Sequence, residues 1–279
     1  MSTDASAPVC VVVGSGSAGR RHAATLRTLL PDHRLVVVRR PTSDQPIGAL
    51  ASIGAEVVAT TADAAALSPA FAVVASPATS HAADAARLLE AGAGLLVEKP
   101  LAASSADGTA LAASASGRAV VLGYHLRFDD VADRFGGLVR ERLAAPATFE
   151  LRVGQDLRGW RPGVPAERSV SARRELGGGV LLELSHELDA VLAIFGPVAT
   201  VRATLRHDGA PTDGVVETVA DLELTLASGG VGRVHLDMVS DPPFRTWHAE
   251  APDVQIDADL LAGTVRAVGG GDRVHEQVA

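Results

Sequence analysis

The chain has 279 residues, 47% of them hydrophobic, and a formal charge of −8, enough for a substantial core and for two compact domains. The acidic balance argues against nucleic acid and anionic membranes as partners, no apolar run reaches the roughly 18–20 residues that span a bilayer, and the start lacks the basic region of a secretory signal, so a soluble cytoplasmic protein is expected. The one cysteine, Cys10, excludes an intrachain disulfide or a thiolate cluster and, inside the run VCVVV, reads as a small core residue.

Residues 1–123 alternate short β-branched runs with alanine-rich amphipathic stretches. VCVVVG leads into a predicted helix over Ser17 to Leu30, and RLVVV into one over Ile47 to Ile53. FAVVAS is followed by SHAADAARLLEAG, GLLVEK by SSADGTALAASA, and AVVLG closes the series. Continuous apolar strands separated by helices predict a parallel sheet covered on both faces, a doubly wound α/β domain. Residues 124–279 differ in texture: a helix over Phe128 to Leu143, a strand in ATFELRVG, an irregular arginine-rich stretch over 156–176, and one apolar helix, GGVLLELSHELDAVLAIFG. The runs VATVRATLR, VVETVADLELTL, GVGRVHLDMV and FRTWHAEA then alternate polar and apolar residues, predicting a mostly antiparallel sheet in an α+β domain. No repeat or metal-ligand pattern is seen.

Directly after the first predicted strand, VVVGSGSAG sets Gly14, Gly16 and Gly19 at G-x-G-x-x-G spacing, with Ser15, Ser17 and Ala18 between them. The first glycine permits a tight turn, the second lets backbone approach a diphosphate, the third allows helix and strand to pack closely, and the helix start attracts the anion. In this strand–turn–helix setting the motif predicts dinucleotide binding. Where an acid would take the ribose hydroxyls, about 20 residues on, the chain has Arg39 and Arg40. These suit a 2′-phosphate, which predicts NADP(H) in preference to NAD(H), unless both are merely solvated.

The strands FAVVAS and GLLVEK end in SPATSH and VEKP. Strand carboxyl ends of such a sheet line the ligand crevice, so Ser76, Pro77, His81, Glu98 and Lys99 are expected at the nicotinamide end of the cofactor. Further on, Glu183, His186 and Asp189 fall at i, i+3 and i+6 on the predicted apolar helix and share a face, a polar stripe that suits a substrate cleft or a buried histidine satisfied by its carboxylates.

The five motifs GSGSAG, SPATSH, EKPLA, GYHLRF and GGGVLLELSHELD, in this order, resemble the Gfo/Idh/MocA family of glucose–fructose oxidoreductases and inositol dehydrogenases over nearly the whole chain. The resemblance implies an NAD(P)-dependent oxidoreductase moving a hydride between nicotinamide and a hydroxyl or ketone carbon of a sugar, cyclitol or related metabolite. Lys99 would hydrogen-bond the reacting atom and His186 exchange its proton, with a cis bond before Pro100 and Glu98 holding the lysine loop. Asp189 would position His186. Glu183 would take over an orienting role that relatives give to an aspartate where this chain has Leu182. His125 would lie near the nicotinamide and Arg127 near the substrate. In the loop, Arg161 and its neighbours Arg158, Arg168, Arg173 and Arg174 are either anion receptors or solvated. Relatives carry a C-terminal helical segment that is not seen here, and a homo-oligomer joined through the open face of the second sheet is expected. An imine reductase of the same fold and a non-catalytic dinucleotide sensor are the rival readings.

Overall fold

The computed structural model describes residues 6–41, 48–115, 117–143, 147–160, 165–209, 212, 215–269 and 273–278. The chain divides into two compact units, Met1–Gly123 and Tyr124–Ala279.

The first unit runs β1 (Val9–Val13), α1 (Ser17–Leu29), β2 (Arg34–Val38), α2 (Gly48–Ser52), β3 (Glu56–Val58), α3 (Thr61–Ala65), β4 (Phe71–Val74), α4 (Ala78–Glu90), β5 (Gly94–Val97), α5 (Ser105–Ser114) and β6 (Val120–Leu122). Its six strands are parallel in the order β3-β2-β1-β4-β5-β6. Chain order reverses between β1 and β4, the position at which a doubly wound sheet opens a ligand crevice.

Burial on both faces explains the unbroken apolar strands. Val9, Val11 and Val13 of β1 pack on one side with Leu88, Leu89 and Leu111, while Cys10 and Val12 pack on the other with Ala23, Leu26 and Leu50. Cys10 is 1% exposed, and burial pushes its thiol pKa up. The strand not foreseen is β3, three residues at the sheet edge of which Glu56 and Val58 are half-buried and Val57 is exposed. Of the helix expected over Ile47 to Ile53, residue 47 lies outside the described residues and 48–52 form α2.

The second unit begins with a 3-10 turn, His125–Phe128, then α6 (Asp130–Arg142) and β7 (Thr148–Gly154). Four 3-10 turns fill the described part of the arginine-rich stretch, before α7 (Val180–Glu183) and α8 (His186–Ile194). Seven strands complete it: β8 (Val198–Arg206), β9 (Val219–Leu226), β10 (Val231–Asp237), β11 (Phe244–Ala251), β12 (Val254–Asp259), β13 (Thr264–Gly269) and β14 (Val274–Gln277). The sheet order is β14-β13-β12-β11-β7-β10-β9-β8, antiparallel except where β7 meets β10.

One face of this sheet builds the core. Phe135 of α6 meets Trp247 of β11 edge to face with ring centroids 5.6 Å apart, and Phe149 of β7 stacks on Phe195 at 4.2 Å. Aromatic pairs in such geometries add to simple area burial. Alternation along β7 sends Glu150 and Arg152 to the opposite face, where β11 and β12 add His248 and Asp257, joined at 2.7 Å.

Candidate active site

The glycine loop fits a dinucleotide's diphosphate. Gly14 follows β1 with φ +112°, and a Cβ there would lie 2.4 Å from the Ala75 carbonyl oxygen. A Cβ on Gly19 would come 2.0 Å from Gly14 O, so these two glycines are what let α1 start hard against the sheet. A Cβ on Gly16, by contrast, meets nothing within 4 Å. That open ground lies at the N-cap of α1, whose first turn carries no acid and whose cap makes no side-chain hydrogen bond. Backbone N–H groups at Ser17, Ala18 and Gly19 are the orphan donors that a helix start offers an anion. Ser15 is buried, its carbonyl accepting from Arg20 Nη1 at 3.0 Å.

Arg39 and Arg40 follow β2, and Arg39 N–H donates to Val58 O at 2.9 Å. The Arg40 side chain reaches α4, donating to Ser80 Oγ (3.2 Å) and Asp84 Oδ2 (2.9 Å). Asp84 is buried and also accepts from Thr61 Oγ1 and Ser76 Oγ, each at 2.7 Å. The Ser76 hydroxyl, expected at the cofactor, is thus committed to Asp84. Nothing in the alanine-rich run around Asp84 singled it out except an acid set on the buried side of a helix.

Glu98 and Lys99 continue β5. Glu98 N–H donates to Val74 O at 2.8 Å, and the Glu98 carboxylate sits 2.6 Å from His22 Nε2 on α1. Burial pushes the Glu98 pKa up, but His22 and the neighbouring Lys99 outweigh it and hold the carboxyl below its ordinary 4.5. Glu98 therefore anchors its loop to α1. The Lys99–Pro100 bond is cis. His81 departs from the expectation of cofactor contact: it is 1% exposed, with Nδ1 2.7 Å from Pro100 O and Nε2 2.7 Å from Ser76 O. Both ring nitrogens face backbone, since α4 turns position 81 toward the sheet rather than outward. Pro77 is the N-cap of α4.

In the second unit the predicted apolar helix is broken. Leu184 (φ −104°, ψ 29°) and Ser185 separate α7 from α8, and Ser185 Oγ donates back to Leu182 O at 3.1 Å. A serine hydroxyl bonded to its own preceding turn competes with continued helix. Glu183 and His186 accordingly belong to two helices, which corrects the single polar stripe, and Glu183 ends α7 half-buried. His186 opens α8, 5% exposed, with the rings of His125 and Tyr124 edge-on at 4.3 and 5.5 Å. The Tyr124 hydroxyl donates to Ser185 Oγ at 3.4 Å, and burial raises its pKa.

Asp189 was expected to position His186; its carboxylate instead takes both arms of Arg127, at 2.7 and 2.8 Å. The pair walls a hollow of about 170 Å³ floored by Leu126, Ala190, Ile194 and Trp247. Arg161 lies outside the described residues, and Arg158 and Arg173 are taken by Asp156 and Glu175. A group that sequence reasoning passed over is Glu187, 0% exposed beside His186. Arg245 Nε lies 2.9 Å from its Oε1, an ion pair whose N–H is not aimed at the oxygen, and burial pushes the Glu187 pKa up. Among the described residues no cluster could hold a metal ion, and no helix is long and apolar enough to cross a membrane.

An open diphosphate cradle at the reversal point of a parallel six-stranded sheet, followed by a mostly antiparallel unit, defines an NAD-binding oxidoreductase. Residues 9–125 match the model of the oxidoreductase family with an NAD-binding Rossmann fold, and residues 141–251 match the GFO/IDH/MocA C-terminal domain. The chain belongs to the Gfo/Idh/MocA family. No curated sequence matches it. Among solved structures, UDP-N-acetylglucosamine 3-dehydrogenase GnnA from Acidithiobacillus ferrooxidans superposes with a TM-score of 0.77 at 21% identity, over 97% of this chain and 82% of that one. Levoglucosan dehydrogenase in complex with NADH and levoglucosan gives 0.80 at 17% identity, over 97% and 79%. At those identities the likeness is one of fold. GenD2 from gentamicin A biosynthesis, in complex with NAD, gives 0.77 at 27%, over 94% and 75%.

The lowered Glu98 pKa makes a stability prediction. A carboxyl with a folded pKa below its unfolded value stabilises the fold above the unfolded value, near 4.5, and loses that contribution as pH falls through the folded one. Glu98→Gln should lower the Tm by on the order of 5 °C at pH 7. The gap from wild type should close as the melts are repeated toward pH 3.

Proposed function

We propose that the protein moves a hydride between a nicotinamide dinucleotide and a hydroxyl or ketone carbon of a sugar, cyclitol or related polar metabolite, in the cytoplasm. The observation that carries this reading is the arrangement of one sheet edge. The open ground at Gly16 follows β1, and Lys99 follows β5, with only β4 between those two strands. Lys99 is also the only lysine of the chain, beside 24 arginines. Sugar ligands in the names of fold relatives, such as levoglucosan and UDP-N-acetylglucosamine, support the substrate class.

When bound, the cofactor supplies the hydride acceptor or donor at nicotinamide C4. The Lys99 ammonium donates a hydrogen bond to the reacting oxygen and stabilises the charge that grows there on reduction. His186 accepts the hydroxyl proton on oxidation and returns it on reduction, a task for which imidazole chemistry is suited near neutral pH. Glu183 orients the histidine from the end of α7. Arg127, held by Asp189 and half-exposed, presents its remaining face to the substrate. Lys99→Ala and His186→Ala should each lower kcat by roughly 10²–10⁴-fold and change cofactor affinity little. A panel of sugars and nucleotide sugars with both dinucleotides identifies a substrate. Wild-type turnover in the two variants would then remove these residues from the mechanism.

The cofactor part of the reading is a preference for NADP(H), with NAD(H) accepted. Arg39 and Arg40 stand where an acid would repel a 2′-phosphate. Because Arg40 already donates to Asp84 and Ser80, the preference should be modest, about tenfold in affinity, or ~1.4 kcal/mol. Fluorescence titration of both cofactors checks this. Equal or tighter binding of NAD(H) by wild type, or an unchanged ratio in Arg39→Ala/Arg40→Ala, counts against it.

We also infer a homo-oligomer, by a different surface than the sequence suggested. The open sheet face carries the charged residues Glu150, Arg152, His248, Asp257 and Arg266. Exposed apolar side chains sit instead on edge strand β8, with Val201 59% and Leu205 46% exposed. Light scattering at micromolar concentration should give a multiple of 28.5 kDa, and Val201→Glu/Leu205→Glu should reduce it to one copy. A monomeric wild type would end the proposal.

A further inference from the structure

Helix α4 presents two polar side chains, His81 and Asp84, to the strand ends beside it, and both are buried. They lie three residues apart and so share a helix face. Asp84 accepts the Ser76 hydroxyl, and His81 faces the Ser76 carbonyl at 2.7 Å. On its other nitrogen His81 faces the Pro100 carbonyl, again at 2.7 Å. A single ring therefore spans the turn after β4 and the turn after β5. Both oxygens only accept hydrogen bonds, so the ring donates to one of them in either neutral tautomer and to both when it carries two N–H groups.

Pro100 is the residue after Lys99, so whatever fixes the Pro100 carbonyl fixes the backbone that carries the lysine. Lysine has a long, rotatable stem and its ammonium is a point charge. Its placement depends on how firmly its own backbone is held. Glu98, on the other side of the lysine, is anchored to His22. With Pro100 held by His81, the lysine is fixed from both flanks.

We propose that His81 is a positioning residue for Lys99: it ties the Ser76 and Pro100 carbonyls together and so sets the height of the lysine above the sheet edge. The inference rests on the assignment of proton handling to Lys99 and adds a residue that need touch neither substrate nor cofactor.

The chain's single lysine makes the test direct. Protein labelled with ¹³C,¹⁵N-lysine gives one labelled residue, read by NMR with no substrate present. In His81→Ala the Lys99 side-chain signals should move or split, and its amide exchange should accelerate roughly 10- to 100-fold, the factor that losing a buried hydrogen bond corresponds to. His81→Gln keeps an N–H donor for one carbonyl and should fall between Ala and wild type. Leu88→Ala, a cavity two turns further along the same buried face of the helix, should lower the Tm yet leave the lysine signals in place.

Unchanged lysine signals in folded His81→Ala, or equal movement in Leu88→Ala, would overturn the proposal. If His81→Ala does not fold, His81→Gln decides on the same signals: a wild-type spectrum there also overturns it. Turnover separates this from the parent reading. An active Lys99→Ala removes the lysine from the chemistry while leaving the spectral result standing, whereas an inactive Lys99→Ala with an unmoved lysine in His81→Ala removes only His81.

Discussion

Val13, Val74 and Val97 lie side by side in register on β1, β4 and β5, and the chemistry of the first unit depends on the row that comes next. That row is Gly14, Ala75 and Glu98. Parallel pairing brings the Ala75 carbonyl oxygen to within 2.4 Å of where a Gly14 Cβ would sit, so position 14 admits only glycine. The same pairing carries Glu98 N–H to the Val74 carbonyl, which fixes where the lysine after it begins. A phosphate turn and a charged pair 84 residues later in sequence are thus set by one ladder of backbone hydrogen bonds.

How much of this was legible follows from the range of each interaction. Strands buried on both faces must be apolar throughout, so VCVVV and RLVVV declared themselves, and the glycine spacing followed at once. The Glu56–Val58 strand did not, because three edge residues, none of them buried, carry too little pattern. The break between α7 and α8 was hidden for the opposite reason: LLELSHELD keeps a helical period with no glycine or proline, and what divides it is one serine turned back on Leu182 O. Pairs that set the charges were out of reach, with His22 and Glu98 76 residues apart and Arg127 and Asp189 62 apart. Periodicity reports which face a residue is on, not which distant residue it meets.

The charged groups separate into two kinds. Surface arginines such as Arg158 and Arg173 are matched by an acid two residues away, a local arrangement of little energetic weight. Interior acids are fewer and more constrained. Asp84 gathers three donors, and Asp237 accepts from Val239 N, Ser240 N, Ser240 Oγ and His235 Nε2. Glu187 has a nearby arginine without a well-aimed hydrogen bond, and an ionised carboxylate so placed carries a large desolvation cost. Its position beside His186 puts a buried acid with no well-aimed donor next to the residue assigned to proton exchange.

The scarcity of certain residue types has a consequence for how the molecule responds to base. Cysteine, tyrosine and lysine, the side chains that ordinarily give up a proton between about pH 8 and 11, occur once each, as Cys10, Tyr124 and Lys99. Burial moves the first two further up. The 24 arginines keep their charge throughout that range. The protein therefore has very few side chains that can give up a proton in alkali, and its side-chain charge stays nearly constant there.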